Sequence, residues 1–262
     1  MATPSPAYDD LRCFCLFVGP NRSGSSLVGA LLDAHANALV AHELDAFEDR
    51  GSTGRLAYAT REELFDDIAR NSGRAARKGR KGRRRGGNVS YAVPGRHQGT
   101  TERLHVIGTK RANRTMVALD QNPRALQDLQ EQVGIPLRLV HLVRNPFDNI
   151  ASMTPEHEPE MRVERYVSLQ SQVRAVKEAG WPVHDVFLEE VIAEPDGTLG
   201  ALCAFLELEA GAEYLRDCAR IVLDAPNESR HGRDWTPQDL GTVNELMGEI
   251  PWLGRYVATE IR

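Results

Sequence analysis

The chain is 262 residues long, 41% hydrophobic and 26% charged, which suits one soluble α/β domain with insertions or two small ones. No apolar run approaches membrane-spanning length, and the opening MATPSPAYDD has neither the basic nor the apolar region of a secretion signal, so a cytoplasmic protein is expected. The net charge of -5 hides a division: Arg70 to Arg85 holds nine Arg or Lys and no acid, leaving 23 basic against 37 acidic residues elsewhere, a balance that disfavours nucleic-acid binding over a broad surface.

In chain order, the apolar run Phe14 to Val18 reads as a strand buried on both faces. Gly19-Pro20-Asn21-Arg22-Ser23-Gly24-Ser25-Ser26 interrupts it, and helical periodicity then runs from Leu27 to His35. Strand, glycine loop and helix make a phosphate cradle, because loop amides and the helix dipole converge on one spot. The Gly19-x4-Gly24 spacing is that of a P-loop, but the lysine after the second glycine is here Ser25. Without it, ordinary ATP or GTP chemistry on Mg²⁺ is disfavoured. The loop's cation is Arg22 instead, which suits a ligand with fewer charges and no bound metal.

Ala38 to Ala41 reads as a second strand ending at His42-Glu43-Leu44-Asp45, where open parallel sheets hold ligands. Thr60 and Glu63 form a capping box for a helix carrying Leu64, Phe65 and Ile68, which fades at Asn71-Ser72-Gly73. Residues 73 to 101 have no hydrophobic period and read as a mobile loop or lid. Its charge is read first as a solvated run, second as an acceptor-binding surface and third as a nucleic-acid site. Leu104 to Ile107 is the next strand, delivering Gly108-Thr109-Lys110-Arg111. A helix follows from Asn122-Pro123 with Gly134 as its C-cap. Leu137 to Val143 is a fourth strand, and Asn145 and Pro146 cap and start the next helix.

Pro159 to Ala179 reads as a long amphipathic helix, Val183 to Leu188 as a fifth strand and residues 195 to 222 as helical. A polar loop over 227 to 235 precedes a C-terminal helix opening at Thr236-Pro237. Cys13, Cys15, Cys203 and Cys218 lack a zinc-binding spacing and read as reduced core residues. Strands alternating with helices imply a parallel sheet covered on both faces. The expected organisation is a single domain over 1–262, with a basic loop or lid insertion at about 71–103.

Two motifs carry a family resemblance. Pro20-Asn21-Arg22-Ser23-Gly24-Ser25-Ser26 resembles the 5'-phosphosulfate loop of sulfotransferases that use 3'-phosphoadenosine 5'-phosphosulfate (PAPS), and Arg144 to Ser152 resembles their 3'-phosphate motif, R-x-P-x5-S. On that pair the chain is identified as resembling a PAPS-dependent sulfotransferase. The resemblance implies an α/β, P-loop NTPase-like three-layer fold with a central parallel sheet flanked by helices. It also implies PAPS as co-substrate, the bisphosphate PAP as product, and no metal. Asn21, Arg22, Ser23, Gly24, Ser25, Ser26, Arg144 and Ser152 become the expected nucleotide contacts. Arg230 joins them from a loop, Ser229 to Arg233, that resembles the family's basic C-terminal loop, with Arg233 and Trp235 as further candidates.

The region from Arg22 through His42-Glu43-Leu44-Asp45 resembles the tyrosylprotein branch, in which an acid at the end of strand two acts as base. The matching residue is Glu43, with His42 as rival. Lys110 matches the branch's lysine in a K-x-P turn, here Lys110-Arg111-Ala112 without the proline, and is expected to assist the leaving group alongside Arg22. The expected acceptor is a hydroxyl on a small molecule or carbohydrate, with no nucleic-acid or membrane partner. Two readings from other classes stay open: an ATP-dependent small-molecule kinase with a P-loop, and a nucleic-acid-binding module built on the basic segment.

Overall fold

The computed structural model describes residues 8–48, 53–84, 87–153 and 159–257. The strands are β1 (Cys13–Val18), β2 (Ala38–Ala41), β3 (Lys81–Arg84), β4 (Gly87–Ser90), β5 (Val106–Thr109), β6 (Leu137–Val143) and β7 (Val183–Phe187). Five of them form one parallel sheet in the order β2-β5-β1-β6-β7, while β3 and β4 pair as a separate antiparallel hairpin. The helices are α1 (Ser25–Asp33), α2 (Arg61–Arg77), α3 (Ala112–Gln121), α4 (Ala125–Val133), α5 (Pro146–Ser152), α6 (Pro159–Glu178), α7 (Leu188–Ala193), α8 (Pro195–Phe205), α9 (Ala212–Ala219) and α10 (Pro237–Glu249).

β1 lies at the centre because every residue in it is apolar, so neither face needs water. Cys13, Cys15 and Phe17 pack with Leu27, Leu31, Leu199, Leu202 and Tyr214 on one side of the sheet. Phe14, Leu16 and Val18 pack with Leu64, Phe65, Ile68, Met116, Leu129 and Val173 on the other. The architecture is therefore a three-layer α/β fold. A third core, with Phe147, Ile150, Tyr166, Val243 and Leu246, fixes α5 against α6 and α10. All four cysteines are buried free thiols. No helix among the described residues is long and apolar enough to cross a membrane.

The local signals act as their chemistry requires. The Thr60 hydroxyl accepts from the Glu63 amide, while Glu63 reaches back to the Ala59 amide rather than that of Thr60. Gly134 caps α4 at φ 67, and Asn145 caps α5 with Pro146 in its first turn. Elsewhere the structure differs. β5 begins at Val106, since the amides of His105 and Val106 are still held by the Asn37 carbonyl before pairing with β2 starts. α3 has no counterpart in the periodicity, because its buried set, Ala112, Thr115, Met116 and Ala118, makes only a thin apolar stripe. The stretch from 195 to 222 is two helices, parted where Glu207 takes φ 59.

The largest correction concerns the basic segment. The expected loop beginning near residue 71 is instead the end of α2, which runs on to Arg77, followed by the β3–β4 hairpin; Arg85 and Gly86 lie outside the described residues. Its anchor is Arg80, which is fully buried and forms an ion pair with the equally buried Asp33 at the end of α1. Arg80 Nη2 also donates to the Val40 carbonyl (2.7 Å) and to Ser72 Oγ (3.1 Å). Asp33 accepts from the Val40 amide (2.7 Å), Ser72 Oγ (2.6 Å) and the Gly99 amide (2.9 Å). Burial pushes the Asp33 carboxyl up in pKa, and Arg80 opposes it. Removing one member of such a pair strands a buried charge. Arg80→Met should therefore lower stability by about 3–5 kcal/mol in urea unfolding, with Arg80→Met/Asp33→Leu recovering part of the loss.

Candidate active site

The loop after β1 is wound tightly, with positive φ at Gly19 (104), Arg22 (65) and Gly24 (103). Ser23 is buried and its hydroxyl donates to the Pro20 carbonyl (2.9 Å), so it braces the turn. The Asn21 carbonyl is held from α5 by Asn149 Nδ2 (2.7 Å). Gly24 is restricted to glycine twice over, by its φ and by Leu188, whose Cδ1 would lie 2.7 Å from an added Cβ. Gly24 is also the N-cap of α1, which has no side-chain cap, so the first-turn amides of Ser25 and Ser26 remain for a ligand at the positive end of the helix dipole.

Arg144, at the end of β6, is brought directly against this loop. Its Nη1 donates to the Arg22 carbonyl (3.1 Å) and to Ser152 Oγ (2.8 Å). Its Nη2 donates to the Asn227 carbonyl and lies 3.4 Å from Ser229 Oγ. One guanidinium thus joins the glycine loop, α5 and the 227–229 segment. Burial lowers its pKa, with Asp148 and Glu189 opposing; a guanidinium so placed keeps its charge. Arg22, from its left-handed position, donates Nε to the Ser152 carbonyl (3.2 Å).

A cavity of about 490 Å³ opens here. Arg22, Gly24, Ser25, Ser26, Arg144, Ser152, Asn227 and Ser229 supply its polar wall, and Leu27, Tyr91, Leu188, Ile192 and Leu223 an apolar one. Of the expected nucleotide contacts, Asn21 and Ser23 are not in that wall, and neither is Arg230. Its backbone amide (2.8 Å) and Nη1 (2.5 Å) both donate to the buried Asp148 carboxylate, and Nη2 donates to Glu228 (2.7 Å). Arg233 pairs with Asp239 (3.0 Å) and stacks over Trp235, whose ring packs edge-on against Phe147 in the core.

Beyond Ser26 lies the second half of the site. Lys110 Nζ donates to Ser26 Oγ (3.0 Å) and forms an ion pair with Glu43. The Lys110 side chain is 5% exposed and that of Glu43 53%, so the carboxylate faces outward while the ammonium is held within. Arg111 bridges Glu43 (3.3 Å) and Asp45 (2.5 Å). Burial lowers the pKa of Lys110, and Glu43 opposes. His42 is pushed down to about 4, by burial first and by the Lys110 charge second. Gly29 makes this placement possible: a Cβ there would meet Lys110 Cβ at 3.1 Å and Cγ at 3.3 Å.

The sequence model of the sulfotransferase family matches residues 16–212, most of the chain. The chain belongs to the sulfotransferase family. No curated protein matches it by sequence. Among solved structures, the sulfotransferase domain of the Synechococcus PCC 7002 olefin synthase is 12% identical, with TM-score 0.51 and 100% of each chain covered. A sulfotransferase from Alicyclobacillus acidocaldarius is 14% identical, with TM-score 0.50, covering 99% of this chain and 98% of that one. A mouse sulfotransferase solved with PAP is 13% identical, with TM-score 0.45, covering 96% and 91%. At these identities the likeness to the first two shows the fold.

Sequence reasoning missed the apolar wall of this sulfotransferase, because Leu27 from α1, the pair Leu188 and Ile192 from the short α7, and Leu223 come from three segments far apart in the chain. Gly29 carried a signal, a glycine inside an apolar helix that costs about 1 kcal/mol relative to alanine. Gly29→Ala should displace Lys110 by a few tenths of an ångström, lowering kcat several-fold while calorimetric affinity for PAP stays unchanged. The sulfotransferase should also lose stability as pH falls from 6.5, the ordinary value for His42, toward its depressed value of about 4, because the unfolded chain takes up that proton first. Urea midpoints across this window should fall less steeply in His42→Gln.

Proposed function

We propose that this sulfotransferase moves the sulfuryl group of PAPS to a hydroxyl of a small-molecule or carbohydrate acceptor in the cytoplasm. The observation that carries the reading is the joining of Arg144 to both the glycine loop and Ser152, two cradles opening on one cavity. A bisphosphorylated nucleotide needs two such grips, and ATP has no 3'-phosphate for the second. The first-turn amides of α1, with Ser25 and Ser26, would hold the 5'-phosphosulfate, and Arg144, Ser152 and Arg22 the 3'-phosphate. The wall of Leu27, Leu188, Ile192 and Leu223 suits the flat apolar faces of a purine. Asn21 and Ser23 would serve by shaping the loop, and Arg230 by fixing α5 through Asp148.

Glu43 would take the proton from the acceptor hydroxyl as its oxygen bonds to sulfur and the bond from sulfur to the 5'-phosphate oxygen breaks, releasing PAP. Lys110 links the two ends, since its ammonium touches Ser26 and Glu43 together. Charge developing on the leaving oxygen would draw that ammonium toward the phosphate and free the carboxylate as it is needed. His42 is the poorer base, its imidazole already weakened by burial and by the neighbouring ammonium.

Two measurements test this. Glu43→Gln should cut turnover at least 100-fold, within the range for a lost general base, and leave PAP affinity within twofold. Arg144→Lys should weaken PAP by about 10–100-fold, as expected for charge-assisted bonds, with little effect on AMP, which has no 3'-phosphate. Equal losses for both nucleotides, or thermal stabilisation by ATP with Mg²⁺ but not by PAP, would overturn the donor assignment.

A further inference from the structure

The basic segment is placed at the reactive edge. Arg80 fastens the start of β3 beneath the end of β2, since it bonds the Val40 carbonyl two residues before His42. The His42 amide is held in turn from α2 by Asn71 Oδ1 (2.8 Å). At the other end of the hairpin, the Tyr91 amide donates to the Arg80 carbonyl (3.2 Å), Ser90 Oγ donates to the Gly79 carbonyl (2.7 Å), and Tyr91 itself lines the cavity. The hairpin base therefore spans from the His42–Glu43 corner to the cavity wall.

Four of its described cations have no carboxylate partner. Arg74, Arg77, Lys78 and Lys81 are exposed, and no carboxylate among the described residues pairs with any of them. Most of the described arginines outside the segment do meet an acid, among them Arg61, Arg96, Arg103, Arg138 and Arg220, whereas Arg55 and Arg216 form no ion pair among the described residues and lie apart from one another in the chain. Arg74 and Arg77, in the last turn of α2, have a local reason to be there, opposing the helix dipole. Lys78 is the C-cap residue of α2, where the dipole still acts, but Lys81 lies beyond it on the other side of Arg80, and the dipole does not account for Lys81. On a protein whose remaining charge is -14, an anion approaching elsewhere is repelled and one approaching this rim is attracted.

We infer that the acceptor carries an anionic group, a carboxylate, sulfate or phosphate, besides the hydroxyl it gives up, and that Lys78 and Lys81 receive that group beside Glu43. The inference deepens the sulfotransferase reading and rests on it. The test uses the full chain with PAPS carrying labelled sulfate, and a metabolite extract split on an anion exchanger at neutral pH into retained and unretained fractions. Label is expected to enter the retained fraction. Lys78→Gln/Lys81→Gln should lower that rate by about tenfold, in the range of electrostatic focusing, with PAP affinity unchanged. Lys78→Arg/Lys81→Arg should keep the wild-type rate, and 0.5 M salt should slow the wild type far more than the Gln pair. Label confined to the unretained fraction, label released by nuclease, or a Gln pair as fast as wild type overturns the inference. A wild-type protein that binds no PAP overturns the donor assignment and this inference together. One that binds PAP and labels only unretained acceptors overturns this inference alone.

Discussion

One guanidinium holds the donor half of the molecule together. Arg144 is nearly buried, and each bond it makes reaches a different piece of chain: the glycine loop, α5, and the turn after residue 226. A lysine could not span them, because an ammonium has no planar fork from which to reach in several directions. The loop geometry, the cavity walls and the registry of α5 all follow from that single side chain being satisfied mainly by carbonyl and hydroxyl oxygens. Among the described residues no carboxylate hydrogen-bonds it, although Asp148 and Glu189 lie close enough to be felt, so its donors are committed to neutral oxygens.

Two other ion pairs divide labour differently. Asp33 and Arg80 are sealed from water and surrounded by further donors and acceptors, so that pair fixes architecture. Glu43 and Lys110 are unequal in exposure, with the carboxylate outward and the ammonium within, and the Ser26 hydroxyl from the first turn of α1 shares the ammonium. A partner that can be exchanged suits the proton-accepting role proposed for Glu43. Burial decides which kind of pair each becomes, and the residue types alone do not.

The elements legible in the sequence were those specified by neighbours in the chain. Thr60 with Glu63, Gly24 before α1, and Asn145 with Pro146 after β6 are interactions across a few residues, so the pattern states them. Hence the glycine turn after β1, the strand-turn-helix at Arg144 and the placing of Glu43 and Lys110 just past strand ends could be read from the one-dimensional text, whereas the β3–β4 hairpin could not. Arg80 could not, because its partner lies 47 positions earlier and a buried arginine in a basic run is written like an exposed one. Arg230 misled for the same reason, its partner Asp148 being 82 positions away. α3 was hidden by a stripe too thin to register, and the apolar cavity wall by being assembled from segments that meet only in space.

The strand order has a consequence for how such a chain can diversify. β6, which presents Arg144, lies on one side of β1, whereas β5 and β2, which present Lys110 and Glu43, lie on the other. In the proposed reaction, recognition of the nucleotide and recognition of whatever receives the sulfuryl group fall to opposite flanks of one central strand. Exchanges at exposed positions of the excursion between β2 and β5, away from Tyr91 and from the Gln98 and Gly99 contacts to α1, leave β6 and Arg144 in place. New specificities can accumulate there like changes of toolbit in a fixed chuck.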